Sequence, residues 1–354
     1  MSGYKRHLVG ALPSKKHVEN VRSKMGRLTQ FLDRMAEGKS DLGSWKFLDD
    51  ADRVMGWPAD LLKKGKKITT VKVYLVNTGQ FLTYFSETPP EGSRVTKRGL
   101  VSVARALKSA ASQISTTVVL HQIQVKDDKE RRTVTPELLR RCLERCRTCI
   151  PVLLRDLSRR KRDVNLRNQL IGYFGLYVAS LYGHRTGVVS NMRVSEVEEA
   201  EQSGSRHDSS GYVINVRHHK TNRAFGSAQL FLTPEEYGWL RRWMAIRREL
   251  RPDSDLMFFN LNGGPVNKLT SFARDAWARM RLPGSPSLTD IRTAVATMAR
   301  NTQCAEVRQR MSQLMCHDTR TADRFYAMQL TVSQLADMRR TFDLSREADQ
   351  QPLE

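Results

Sequence analysis

Apolar residues recur every three or four positions over much of the first third of the chain. Val21, Met25, Leu28, Phe31, Leu32 and Met35 would share one face of a helix over residues 17–35. A shorter helical pattern covers residues 42–55. Gly56, Trp57 and Pro58 read as its break, with Pro58 opening the next turn of helix. Residues 69–85 start with β-branched side chains, as a strand would. Val71, Leu75, Thr78, Leu82 and Phe85 nevertheless fit one helical face, and helix is the preferred reading. Beyond a turn at Pro89 and Pro90, residues 96–125 read as a long, mostly helical stretch with Lys and Arg outermost. The first 16 residues are polar and basic and read as a loose arm.

Lys126, Asp127, Asp128, Lys129, Glu130, Arg131 and Arg132 form a charged run without apolar content. The division expected from it is a helical DNA-binding domain over 1–126, a linker over 127–134, a second domain over 135–345 and a polar tail over 346–354. Thr135 followed by Pro136 looks like an N-cap and first helical position. Residues 168–182 are almost all apolar and predict a core helix, which runs straight into Gly183, His184 and Arg185. Residues 193–200, 211–217 and 228–232 are the strand candidates, Tyr212, Ile214 and Val216 alternating as strands do, and the last two are joined by a connection that places Lys220 on a mobile hairpin tip. Thr233, Pro234, Glu235 and Glu236 spell a capping box. Further helices are expected after Gly264, over 287–298 and over 331–340.

Charge narrows the partners. The chain has 354 residues, 59 Lys and Arg against 37 Asp and Glu, and a net charge of +22. Such a surplus favours a polyanion, with nucleic acid ahead of an anionic membrane surface. No apolar run approaches membrane-spanning length, and the first residues lack the apolar core of a secretory signal. The five Cys are read as reduced thiols. Cys142, Cys146 and Cys149 recur at helical spacing without a fourth ligand, so a buried helix face is preferred over a metal site. The basic clusters Lys63, Lys64, Lys66 and Lys67, then Arg159, Arg160, Lys161 and Arg162, with Arg223, suit DNA phosphates collectively, although each alone reads as solvated surface. The second cluster also reads as a nuclear-import signal, and a nuclear location is expected from it.

One stretch near the end carries candidate chemistry. His317 stands nine positions before Tyr326, with polar and basic residues filling the gap. A phenol near an imidazole in a strongly basic chain suggests a nucleophile aimed at phosphate. Arg185, Lys220 and Arg292 precede this pair. Each has an ordinary reading: a helix C-terminal cation, a surface lysine and a snorkelling helix arginine.

Their order, context and spacing together resemble the tyrosine recombinase family, over about residues 135–345. The matching words are Gly183-His184-Arg185, Lys220 on a hairpin, Arg292 opening a helix, His317, and Tyr326 at the family's usual distance. The resemblance implies a fold that is mainly α with a small antiparallel β-sheet, arranged as a two-domain clamp on double-stranded DNA. It further implies cleavage and rejoining of strands through a 3′-phosphotyrosyl link, without metal, ATP or another cofactor. Arg185, Arg292 and His317 would hold the phosphate, Lys220 would protonate the leaving 5′-oxygen, and His219 is its rival. A homodimer on one site and a homotetramer in the synaptic complex are expected. Thr289 stands where the family usually carries His, and Val188 where many members carry an acid. Within the family, the words around Lys220 and Tyr326 look most like the crypton-type mobile elements. A type IB topoisomerase-like enzyme and a host-recruited DNA-binding protein that no longer cuts are the alternatives.

Overall fold

The computed structural model describes residues 1–132, 134–207, 211–302 and 305–316. His317 and Tyr326, and the helix expected over 331–340, lie outside the described residues. The chain divides between Asp127 and Asp128 into two compact units. Among the described residues no helix is long and apolar enough to cross a membrane.

The first unit is all helical. Helix α1 (Ser2–Val9) occupies the stretch expected to be a loose arm. The correction has an aromatic cause: Tyr4 is 3% exposed, its ring 5.3 Å from that of Phe81 and 4.9 Å from that of Tyr84. Helix α2 (Lys15–Ala36) starts where the Ser14 side chain accepts from His17 N, and its apolar face of Leu28, Phe31 and Met35 is buried. A single 3-10 turn (Lys46–Leu48) leads to α3 (Ala51–Lys63), capped by Asp50. Here too the expectation fails. No break occurs at residues 56–58, and α3 runs through Pro58. An interior proline costs about 3 kcal/mol. The neighbouring Trp57 is 1% exposed and packs its ring 5.9 Å from Phe31. A buried aromatic of this size is worth about 3–5 kcal/mol, enough to offset the proline. Helix α4 (Ile68–Glu87) confirms the helical reading of that ambiguous stretch. Helix α5 (Lys97–Gln113), capped by Thr96, and α6 (Ser115–Arg131) follow, separated only by Ile114. The charged run expected to be a linker is therefore the last turns of α6.

The second unit is built on α8. Helix α7 (Pro136–Arg159) starts with Thr135 accepting from Leu138 N, and Cys142 and Cys146 are buried on its inner face, with Cys149 half-buried. Helix α8 (Val164–Tyr182) is buried almost throughout. It is followed by α9 (Thr186–Ser190), α10 (Val194–His207), strand β1 (Tyr212–Val216), α11 (Asn222–Phe225) and strand β2 (Ala228–Leu232). Then come α12 (Pro234–Leu250), α13 (Leu269–Arg279), α14 (Leu288–Thr302) and α15 (Ala305–Leu314). The fold is mainly α with one small antiparallel sheet, in which Tyr212 faces Leu232 and Val216 faces Ala228. Ile214, Val216, Ala228, Leu230 and Leu232 point into the core, while Val213 and Phe231 face out. The capping box at Thr233 and Glu236 is formed as expected.

Of residues 193–200, expected as a strand, only Arg193 makes an isolated β-bridge, with Leu256, and 194–200 form instead the first turns of α10. Glu196 decides this. Its buried carboxylate accepts from Arg193 N at 2.9 Å and from Arg217 N at 2.8 Å, capping the helix and tying it to β1. Val194, Val197 and Ala200 then fall at helical spacing.

Helix α8 lies very close to α13. A Cβ built on Gly172 would lie 2.2 Å from the backbone oxygen of Phe272, and one on Gly175 would lie 2.9 Å from Leu269 Cδ1. Backbone cannot yield as a side chain can. Gly172→Ala is therefore expected to destabilise the second unit by about 1–3 kcal/mol, the range for overpacking a core. Chemical denaturation measures it, and an unchanged midpoint would show that the two helices separate at little cost.

Candidate functional site

The turn after α8 positions the first arginine. Gly183 ends the helix in the left-handed region at φ 64°, and its N–H closes on Ala179 O at 2.8 Å. A Cβ there would also lie 2.4 Å from Met315 Cε, the movable end of a flexible side chain, so it is the conformation that calls for glycine. Two residues on, half-buried Arg185 donates from Nη1 to Cys316 O at 2.9 Å and to the hydroxyl of Thr221 at 3.3 Å. The Thr221 hydroxyl in turn donates to Cys316 O at 3.1 Å.

The second arginine comes from the first turns of α14. Ser287 and Asp290 form a reciprocal cap there, Ser287 N donating to the carboxylate and Asp290 N to the serine oxygen. Arg292 is 2% exposed. It donates from Nη1 to Gly183 O and from Nη2 to Met315 O at 2.9 Å. Two guanidinium groups distant in sequence thus grip consecutive carbonyls, Met315 and Cys316, and Arg292 also holds the turn that carries Arg185. Cys316 adopts φ 53°. Burial pushes its thiol pKa up, against the opposing pull of Arg292 and Arg185.

Lys220 is exposed. The connection that carries it differs from the mobile tip expected. It contains α11, and its backbone is pinned at several points. Asn191 Nδ2 donates to His218 O at 2.9 Å, Asn222 Nδ2 donates to Arg217 O at 3.0 Å, and His219 Nε2 meets Gly226 O at 2.7 Å. What projects is the lysine side chain on a fixed base. His219, the rival proton donor, is buried at 8% exposure with Nε2 already bonded. Thr289 lies exposed on the first turn of α14, one turn before Arg292. Val188 is buried in α9.

No family model matches the chain, and no curated protein matches it. Solved structures similar to it at low identity include a recombinase and a transposon integrase. XerA recombinase is 16% identical, with a TM-score of 0.36, over 82% of this chain and 97% of that one. The Tn1549 transposon integrase, solved in complex with circular intermediate DNA, is 14% identical, with a TM-score of 0.46, over 95% of this chain and 97% of that one. At such scores the roles of individual residues rest on the geometry above.

The basic clusters differ in how free their charges are. Lys63, Lys64 and Lys67 are exposed at the end of α3 and the turn before α4, with Lys66 half-buried. In the second unit, Lys161 is paired with Glu249, and Arg160 lies 3.7 Å from Asp163, so part of that cluster is neutralised internally. Arg159 and Arg162 are exposed, as is Arg223 on α11, two residues after Thr221. Two members of the constellation, Thr221 and His184, had no signal in the sequence beyond standing next to a candidate cation. His184 is buried, with Nε2 3.0 Å from Gln229 O, and burial pushes its pKa down to about 4.

Proposed function

We propose that the chain cleaves and rejoins DNA strands as a tyrosine recombinase, with Tyr326 as nucleophile. The observation that carries this reading is the meeting of Arg185 and Arg292 on the Met315–Cys316 carbonyls, immediately before His317, with Thr221 beside Lys220 on the same carbonyl. Residues picked from separate parts of the sequence, or their direct neighbours, gather at one place.

The chemistry assigns each a task. The Tyr326 phenolate oxygen attacks the phosphorus, the bond to the 5′-oxygen breaks, and a 3′-phosphotyrosyl link forms. Charge grows on the non-bridging oxygens, and the positive charges of Arg185 and Arg292, held on the Cys316 and Met315 carbonyls, stabilise it. His317 donates a further hydrogen bond. The leaving 5′-oxygen takes a proton from Lys220 Nζ. Reversal by a 5′-hydroxyl regenerates the phosphodiester, so no external energy source is needed. We extend the reading to a mobile-element recombinase of crypton type, acting in the nucleus as a tetramer, on the words around Lys220 and Tyr326 and the basic cluster at 159–162.

Trapping with DNA nicked near the cut, followed by identification of the linked residue, tests the reading. A link to Tyr326 supports it, and absence of any adduct on cleavable DNA sinks it. Binding is also expected to depend steeply on salt. With about six to ten phosphate contacts, affinity falls on the order of 10³–10⁵-fold between about 50 and 200 mM salt. A flat titration would contradict extensive phosphate contact by a chain of net charge +22.

A further inference from the structure

Tyr182 and His184 stand two residues apart at the end of α8 and the turn beyond it. Both bond to backbone carbonyls two residues apart on β2. The Tyr182 hydroxyl donates to Phe231 O, and His184 Nε2 lies 3.0 Å from Gln229 O. Alternate residues of a strand face the same way, so the pair fastens one side of β2 to the Arg185 turn. A carbonyl only accepts, so Nε2 of His184 carries the proton. The ring is neutral near pH 7. Burial is the main cause, and Arg292, His219 and Arg185 push in the same direction.

This ring links two parts of the candidate site. On one side, its neighbour Gly183 accepts from Arg292 through its carbonyl, and its neighbour Arg185 donates to Cys316 O. On the other, Gln229 continues back along the chain to Gly226, which His219 holds beside Lys220. Gln229 is further fixed by its side chain, which donates to Asn215 Oδ1 at 3.2 Å.

We infer that His184 is a positioning residue, whose Nε2–H bond to Gln229 O keeps the connection bearing Lys220 in register with Arg185. The inference rests on the strand-transfer reading above and concerns its proton-transfer step. A general acid must come within about 2.6–3.2 Å of the oxygen it protonates. Misplacement by about 1 Å costs on the order of a hundredfold. The tether acts on Lys220 through the backbone.

The test uses the full chain and two DNA substrates, one ordinary and one with sulfur in place of the bridging 5′-oxygen at the cut. Sulfur leaves without a proton. His184→Leu is expected to cleave ordinary DNA about 10- to 100-fold more slowly at unchanged DNA affinity, the cost of a displaced catalytic group. On the sulfur substrate it should come close to the wild-type rate. His184→Gln retains a donor able to reach Gln229 O. It loses the ring 5.8 Å from that of Tyr182, and Nδ1, which has no hydrogen-bond partner among the described residues, and should stay near wild type on both substrates. Wild-type cleavage of ordinary DNA by His184→Leu overturns the inference. So does a folded His184→Leu that is equally slow on both substrates. If His184→Leu fails to fold, His184→Gln decides alone: a Gln variant slowed on ordinary DNA and not rescued by sulfur also overturns it. A wild-type chain that forms no adduct on either substrate sinks the strand-transfer reading itself, an outcome distinct from the others.

Discussion

Tyr326→Phe is expected to abolish covalent protein–DNA adducts while leaving DNA affinity nearly unchanged. The substitution removes one oxygen and no charge, so the phosphate contacts that dominate affinity persist. The other phenols of the second unit are poor substitutes. Tyr177 and Tyr237 are fully buried, the first donating to Glu236 and the second to Val197 O at 2.7 Å, and burial pushes both pKa values up. Tyr173 is likewise buried and raised. Tyr182 donates to Phe231 O and is pushed up to about 12 by burial. Tyr212 stacks on Tyr237 with ring centroids 4.0 Å apart. Phenols held protonated in a core, as Tyr173, Tyr177 and Tyr237 are, neither ionise near neutral pH nor reach phosphorus. Denaturing electrophoresis of a trapped, labelled substrate measures the adduct. Wild-type adduct levels in the Phe variant would remove Tyr326 from the mechanism.

What the sequence made legible was mostly local. Periodicity and caps placed α2, α4 and the start of α7, and the hairpin strands were recognisable from alternation. The misplaced elements were those decided by distant partners. Tyr4 orders α1 through Phe81 and Tyr84, and Trp57 carries α3 through a proline by packing on Phe31. Glu196 sets a stretch expected as a strand as a helix because its carboxylate also serves Arg217 N. The site divides in the same way. Arg185 and Arg292 stood out by residue type and context. The acceptors they meet, Gly183, Met315 and Cys316, are backbone carbonyls, which any residue type supplies and no sequence pattern marks. The role of His184 is illegible for the same reason, since its partner is the carbonyl of Gln229.

Arg185→Ala and Arg292→Ala are each expected to lower strand cleavage by at least about a hundredfold, the scale of losing one preorganised transition-state donor. They should part company in stability. Cys316 O accepts from both Arg185 and the Thr221 hydroxyl, so Arg185→Ala leaves that carbonyl a donor. Arg292 is 2% exposed and serves Gly183 O and Met315 O. Its removal strips a charged donor from two carbonyls in a buried setting. At about 1–3 kcal/mol for each of these two buried groups left unpaired, Arg292→Ala should cost on the order of 2–6 kcal/mol of stability. Arg185→Ala should cost little, because its guanidinium is only half-buried and its main acceptor is shared. Lysine at either position restores the charge without the fork and should recover cleavage only in part. At 292 a lysine also has to span Gly183 O and Met315 O from a single nitrogen. Single-turnover cleavage and thermal melting, run on the same four variants, separate the two effects. Equal melting temperatures for the two alanine variants would show that the Arg292 bonds to Gly183 and Met315 contribute no net stability. Full activity in a lysine variant would show that charge alone is needed at that position, and the planar fork would then have no part in holding the phosphate.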